Sequence, residues 1–306
     1  MREAFLSIVI AGAVAACGGG VAPTETAGER AGEAGDDSAI QGGRRDPRHA
    51  AVGIVWLRAG GLCSGALVAP DVVLTAAHCV GQPVEGFYLG RGAANATLTG
   101  PPRGMRRIGV VGQRAYDGFS RAATCPIGVP DLGLVRLEQP VEDVRPLPIA
   151  TAAPSVGARC TAVGFGAHDD ASGRTTYADK REAQVAVAAL AATALAVEPG
   201  SGLPDHGDSG GPLLCDGAIV GVTSCSDGTP DRVWFARTDE ARRFLDAPWP
   251  APGACAHAVC STGAALDPAC DPCVDAVCGV DPYCCGADWD AGCVQTAGDR
   301  CGVRCR

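Results

Sequence analysis

"GDSGGPLLC", residues 207–215, decides how this chain is read. A serine stands among glycines, and an apolar run follows directly. The bland reading is a turn that enters a strand. The chemical reading is a nucleophile, and it makes demands on the rest of the sequence. A serine hydroxyl is a poor nucleophile at neutral pH; it needs a base within hydrogen-bond reach and a buried carboxylate to orient that base. Two upstream stretches answer: LTAAHC (74–79) supplies His78, and DLGLVRL (131–137) supplies Asp131. Alone, the first reads as a structural histidine after an apolar run and the second as a plain strand. Together the three segments fall in the order His, Asp, Ser, which chance rarely produces.

Outward from that core, the chain has 306 residues, 47 % of them hydrophobic, and a net charge of −9 without a basic run. That length suits one domain of about 200 residues or two of about 100–150. The acidic balance makes nucleic acid and anionic membrane surfaces poor partners. Candidate strands are AVGIVWL (51–57), SGALVA (64–69), DVVLTAA (71–77), LGLVRL (132–137), CTAVGFG (160–166), AQVAVAAL (183–190), GPLLC (211–215), AIVGVTSC (218–225) and VWFAR (233–237). Gly, Pro and Asp turns separate them at intervals that suit all-β barrels. DEARRFLDA (239–247) offers one short amphipathic helix, and the proline-containing residues 248–254 a stiff linker.

The 17 cysteines indicate an oxidising compartment. They divide into Cys17, six in the β-rich region and ten from Cys255 to Cys305, so each candidate domain holds an even number. Residues 1–17 carry an apolar stretch from Phe5 to Ala16, too short to span a bilayer, which reads as a signal-peptide core. Its end, Val14-Ala15-Ala16-Cys17 followed by glycines, resembles a bacterial lipobox. That implies lipidation at Cys17 and a place in the bacterial cell envelope; the alternative is an ordinary secretory signal and a secreted protein. Residues 18–39 read as a disordered acidic tether or propeptide.

Residues 40–247 resemble the chymotrypsin-like (trypsin-family) serine proteases, on the LTAAHC, DLGLVRL and GDSGGP segments in that order. The resemblance implies two packed six-stranded antiparallel β-barrels with a short C-terminal helix, the small disulfide-rich domain of residues 255–306 following. It implies His78 as general base, Asp131 as its orienting partner and Ser209 as nucleophile, acting on protein or peptide substrates without a cofactor or metal. It further implies an oxyanion hole from the backbone N–H groups of Gly207 and Ser209, and a serine, Ser224, hydrogen-bonded to the aspartate. Cys63 with Cys79 and Cys160 with Cys215 match the family's pairings. Ile40-Gln41-Gly42-Gly43 matches its activation N-terminus, with Asp208 as the partner of the freed ammonium.

The sequence also departs from the family. Asp205 replaces the cysteine four residues before the nucleophile, and Cys225 replaces the tryptophan after Ser224. Cys125 and Cys225 are thereby left over; they form either a bridge across the substrate cleft or two free thiols. Leu203 stands where trypsins carry a carboxylate at the pocket base, and Val233 where many members have glycine; Ser226 lies on the opposite wall. An elastase-like pocket for small apolar side chains follows, and Ala39, before Ile40, would suit it as a self-cleavage site. Asp205 is expected at the rim.

The tail is too short to bury much core, so up to five disulfides would carry it. Its CDPC stretch (270–273) also permits a zinc reading, which the absence of a second well-spaced pair opposes. Trp289 and Tyr283 either fill its core or face a ligand of unknown kind. The rival to a peptidase is a binding protein on a protease scaffold.

Overall fold

A computed structural model describes residues 40, 43–93, 100–120, 125–126, 128–169, 175–229, 231–249 and 255–305. The expected signal segment with Cys17, the expected tether and Ala39 lie outside the described residues.

The first half builds one antiparallel sheet. After the short β1 (Arg44–Arg45) come β2 (Val52–Leu57), β3 (Leu62–Ala69), β4 (Val72–Thr75), the single helical turn α1 (Ala77–Val80), β5 (Val84–Leu89), β6 (Arg106–Ile108), β7 (Val110–Ala115) and β8 (Gly133–Leu137). The strand order is β6-β5-β2-β3-β4-β8-β7. Its two edge strands, β6 and β7, are separated only by Gly109. The edges are therefore the two halves of one bent segment, and the sheet curls round so that its ends meet through the chain. Its interior is tight. Gly53 in β2 faces the Phe87 ring, and a Cβ there would lie 2.6 Å from Phe87 Cζ.

The second half closes by hydrogen bonding. Its strands are β9 (Arg159–Gly164), β12 (Arg181–Leu190), β13 (Ala194–Pro199), β14 (Pro212–Cys215), β15 (Ala218–Cys225) and β16 (Val233–Arg237), with a small β10–β11 hairpin (His168–Asp169, Thr175–Thr176) between β9 and β12. The order β12-β13-β16-β15-β14-β9 returns to its start because β9 also pairs with β12. The all-β expectation holds, with the refinement that the second barrel is a closed six-stranded one while the first is an open sheet of seven strands. β1 adds to β12 at Arg44–Glu182 and Arg45–Arg181. There Glu182, buried, accepts from Arg44 at 2.8 Å and Arg48 at 2.6 Å. One apolar cluster runs from the first barrel across the seam into Val163, Phe165, Leu214 and Val222 of the second. A second fills the closed barrel and includes Ile40.

A 3-10 turn and the short α2 (Arg242–Leu245) end the barrels. The tail is built from β17 (Gly263–Ala264), α3 (Pro272–Cys278), α4 (Tyr283–Gly286), β18 (Asp288–Trp289) and α5 (Ala291–Cys301). Asp271 and Asp290 cap α3 and α5 by accepting from Cys273 N and Cys293 N. Five disulfides cross it: 255–270, 260–305, 273–301, 278–285 and 284–293. Trp289 is fully buried at its centre and donates to Val259 O at 2.9 Å, whereas Tyr283 is exposed. The tail packs against the first barrel. Trp249 lies 4.8 Å from the Arg114 guanidinium, which also stacks at 5.2 Å on Phe244 and donates to Ala247 O at 2.6 Å. Gly286 of α4 approaches the carbonyl of Gly81, at the end of α1, so closely that a Cβ would lie 3.3 Å from it.

Candidate active site

β4 and β8 are neighbours, with Thr75 opposite Gly133. That register brings the turn after β4, carrying His78, onto the residues before β8, carrying Asp131. Gly133 permits the approach, since a Cβ there would lie 2.7 Å from Ala76 O and from Val80 Cγ2. The Cys63–Cys79 disulfide ties α1 to β3. Asp131 is 1 % exposed, and its carboxylate is fully engaged. Oδ1 accepts from His78 N at 3.0 Å; Oδ2 lies 2.7 Å from His78 Nδ1 and accepts from Ser224 Oγ at 2.7 Å. A carboxylate at Nδ1 keeps the proton on that nitrogen and leaves Nε2 as the acceptor.

Ser209 sits in a turn between two glycines with positive φ, Gly207 at 94° and Gly210 at 82°. Side chains rarely adopt that conformation, and Gly210 also abuts the carbonyl of Ser64. The turn is sewn to the first barrel: Ser64 N donates to Ser209 O at 2.8 Å, and Ser64 Oγ donates to Gly207 O at 3.1 Å while accepting from Phe165 N. Gly210 N donates to Thr223 O at 2.8 Å. Among the described residues, the N–H groups of Gly207 and Ser209 have no hydrogen-bond partner, and neither does Ser209 Oγ. Nucleophile–base contacts are often long before substrate binds.

Asp208 points away from the cleft and is 1 % exposed. It accepts from Gly166 N at 2.8 Å and Asp205 N at 2.9 Å. Burial outweighs these donors and pushes its pKa up to about 7. Among the described residues it forms no ion pair. Ile40 is 1 % exposed within the core of the same barrel.

A cavity of about 330 Å³ opens beside Ser209, lined by Pro204, Asp205, His206, Ser224, Ser226 and Val233, among others. Leu203 is not brought to its wall. That half-buried side chain packs against the closed barrel's apolar cluster, while the residues after it, Pro204 and Asp205, line the cavity. Asp205 Oδ1 is held by His206, accepting from its backbone N–H at 2.7 Å and lying 2.7 Å from its Nδ1. Cys225 also lines the cavity, bonded to Cys125; the third barrel disulfide joins Cys160 and Cys215. Sequence reasoning passed over Ser64 and Pro204, since a buried serine in a strand and a proline in a turn carry no chemical signal of their own. Two grooves of about 350 and 470 Å³ lie where the tail meets the first barrel, and neither is lined by His78, Asp131 or Ser209.

Residues 40–238 match the trypsin family. The chain belongs to that family. Among similar trypsin-family proteins, a beta-fibrinogenase, mucrofibrase-5, of Protobothrops mucrosquamatus is 32 % identical over 53 % of this chain and 66 % of its own length. A renal glandular kallikrein of Mastomys natalensis is 31 % identical over 53 % of this chain and 69 % of its own. The chain thus spans about two thirds of the length of these relatives. Human heparin binding protein superposes with a TM-score of 0.55 at 24 % identity, over 69 % of this chain and 99 % of that one. Neuropsin from mouse brain does so with 0.53 at 23 %, over 67 % and 97 %. At those identities the structures speak for the fold alone. Residues 253–305 match a second family, a domain of unknown function.

Proposed function

We propose that this trypsin-family chain is a serine endopeptidase working through His78, Asp131 and Ser209. The 2.7 Å contact between His78 Nδ1 and the buried Asp131 carboxylate carries the reading. It supports a histidine whose Nε2 takes the proton of Ser209 Oγ as that oxygen bonds to the substrate carbonyl carbon. The resulting oxyanion is received by the N–H groups of Gly207 and Ser209. The imidazolium then gives its proton to the leaving amine, and water repeats the sequence to release the acyl group. Base, nucleophile and oxyanion donors all come from this chain, and the scheme calls for no cofactor or metal. A fluorophosphonate probe tests it: labelling that persists in Ser209→Ala would reject Ser209 as nucleophile.

The residue accepted before the scissile bond is small and apolar in this reading. Val233 and Pro204 line the cavity, and the one carboxylate at its wall among the described residues, Asp205, is engaged by His206. Activation is by cleavage before Ile40, after Ala39, so that the new ammonium pairs with Asp208. The same small-residue preference would let the enzyme make that cut itself. Eight disulfides among the described residues support an oxidising, exported location. We further assign Cys17 as a lipidated N-terminus that holds the enzyme at a membrane. Mass spectrometry of the mature N-terminus tests this, and an unmodified terminus beyond Cys17 would reject it.

A further inference from the structure

We propose that the Cys125–Cys225 disulfide is a positioning device for the triad carboxylate, acting through Ser224; this rests on the triad reading above. Asp131 lies fifteen residues after Tyr116, the residue that follows β7. At the near end of that stretch, Tyr116 N donates to Leu132 O at 2.8 Å. Among the described residues of 117–130, none hydrogen-bonds to another strand or helix. They are tied to the second barrel covalently by the bond from Cys125, six residues before Asp131, to Cys225.

The other end of that bond adjoins Ser224. In the β15–β16 ladder Thr223 pairs with Phe235 and Cys225 with Trp234, two consecutive residues. Ser224 is therefore the extra residue of a bulge, with no ladder partner of its own. A bulge re-aims a side chain, and here the aim is Asp131 Oδ2, at 2.7 Å. The hydrogen bond and the disulfide close one ring: Asp131, the chain back to Cys125, Cys225, Ser224, and Asp131 again. Both partners of the hydrogen bond are thus tied to each other covalently. The bridge is seated against Trp234, Ala194 and Ala196, and Trp234 is fixed by donating to Asp227 at 2.8 Å. Cutting the bond leaves the bulge and the loop free to part. The carboxylate then loses one donor and its fixed angle to the His78 ring, and proton transfer suffers while substrate binding does not.

The test is a cycle on the full chain. Cys125→Ala/Cys225→Ala is made in the natural background and in Ser224→Ala, with thermal melts as a check of folding. Kinetics are measured on a short peptide and on one extended on the N-terminal side of the scissile bond. In the natural background kcat should fall about tenfold on both peptides with KM within about twofold; in Ser224→Ala the same pair should cost less than about twofold, because the connection is already cut. An equal loss in both backgrounds overturns the proposal. So does a loss confined to KM of the extended peptide, which would make the bridge a wall of the cleft. Should the alanine pair unfold, Cys125→Val/Cys225→Val refills the cluster on Trp234 without the bond, and the same outcomes are read. The natural enzyme is assayed first: absence of turnover and of fluorophosphonate labelling there would overturn the triad reading itself.

Discussion

His78 is joined to Asp131 twice, through its backbone N–H to Oδ1 at 3.0 Å and through its ring to Oδ2 at 2.7 Å. One carboxylate thus sets both where the residue sits and how its ring is turned. Asp131→Asn preserves the shape but cannot accept at both positions, since one must face an NH2 group. The ring then turns or takes the wrong tautomer. We expect kcat to fall by about 10³–10⁴-fold with the melting temperature little changed. Steady-state kinetics with a thermal melt of the same preparation decide it, and a loss below about tenfold would speak against the assigned role.

Asp208 predicts how the uncleaved chain responds to pH. Burial raises its pKa to about 7 from an ordinary 3.8, so the folded chain holds this proton more tightly than the unfolded chain. Its contribution to stability is full below about pH 4 and is lost as pH rises through about 7. The effect is on the order of a few kcal/mol. Melting temperatures of uncleaved Ser209→Ala should fall across that window, and adding Asp208→Asn should flatten the fall. Parallel curves for the two proteins would show that another group carries the slope.

The cavity beside Ser209 predicts specificity. Peptides with Ala or Val before the reporter group should be cleaved at least about a hundredfold better than the Arg counterpart, about 2.7 kcal/mol in transition-state energy. Val233→Gly should extend acceptance to larger apolar residues without admitting Arg. Ratios of kcat/KM on matched peptides test both statements. A preference for Arg in the natural enzyme would mean that Asp205 leaves His206 and serves the cavity.

Trp249 predicts how firmly the stretch that leads into the tail is held on the first barrel. Its ring lies 4.8 Å from the Arg114 guanidinium and 5.9 Å from that of Arg136. Trp249→Ala should cost about 1–3 kcal/mol in denaturant unfolding, from lost packing and lost cation–π contact. Hydrogen exchange should rise in strand β7 at the same time. Unchanged exchange there would mean that the ring merely rests on the surface.

The strands that build the cleft were legible because they are short apolar runs between strong turn formers, as in VVLT and VWFAR. Others were not. β13 (ALAVEP) follows AQVAVAAL with hardly a polar residue between them, so one apolar stretch hides two strands. β6 and β7 carry arginines and a glycine, and only edge pairing, β6 with β5 and β7 with β8, makes them strands. Among the candidate site residues, His78, Asp131 and Ser209 were marked by the segments around them. Leu203 was assigned to the pocket base by counting along the chain. Counting does not register that Leu203 packs against the closed barrel's apolar cluster while Pro204 and Asp205 line the cavity. The tail's helices stayed hidden among cysteines because capping by Asp271 and Asp290, rather than apolar periodicity, starts them.

The packing of Trp249 and Gly286 against the first barrel has a practical side. The match to the trypsin family's model stops at Thr238, which invites cutting the gene soon after it. A fragment ending there would lack Phe244 and Trp249, the two rings on Arg114, and would uncover the side of the barrel where Gly286 meets the end of the His78 helix. Sound expression of the peptidase therefore calls for the whole stretch from Ile40 to Cys305, made where ten more sulfurs can find their partners.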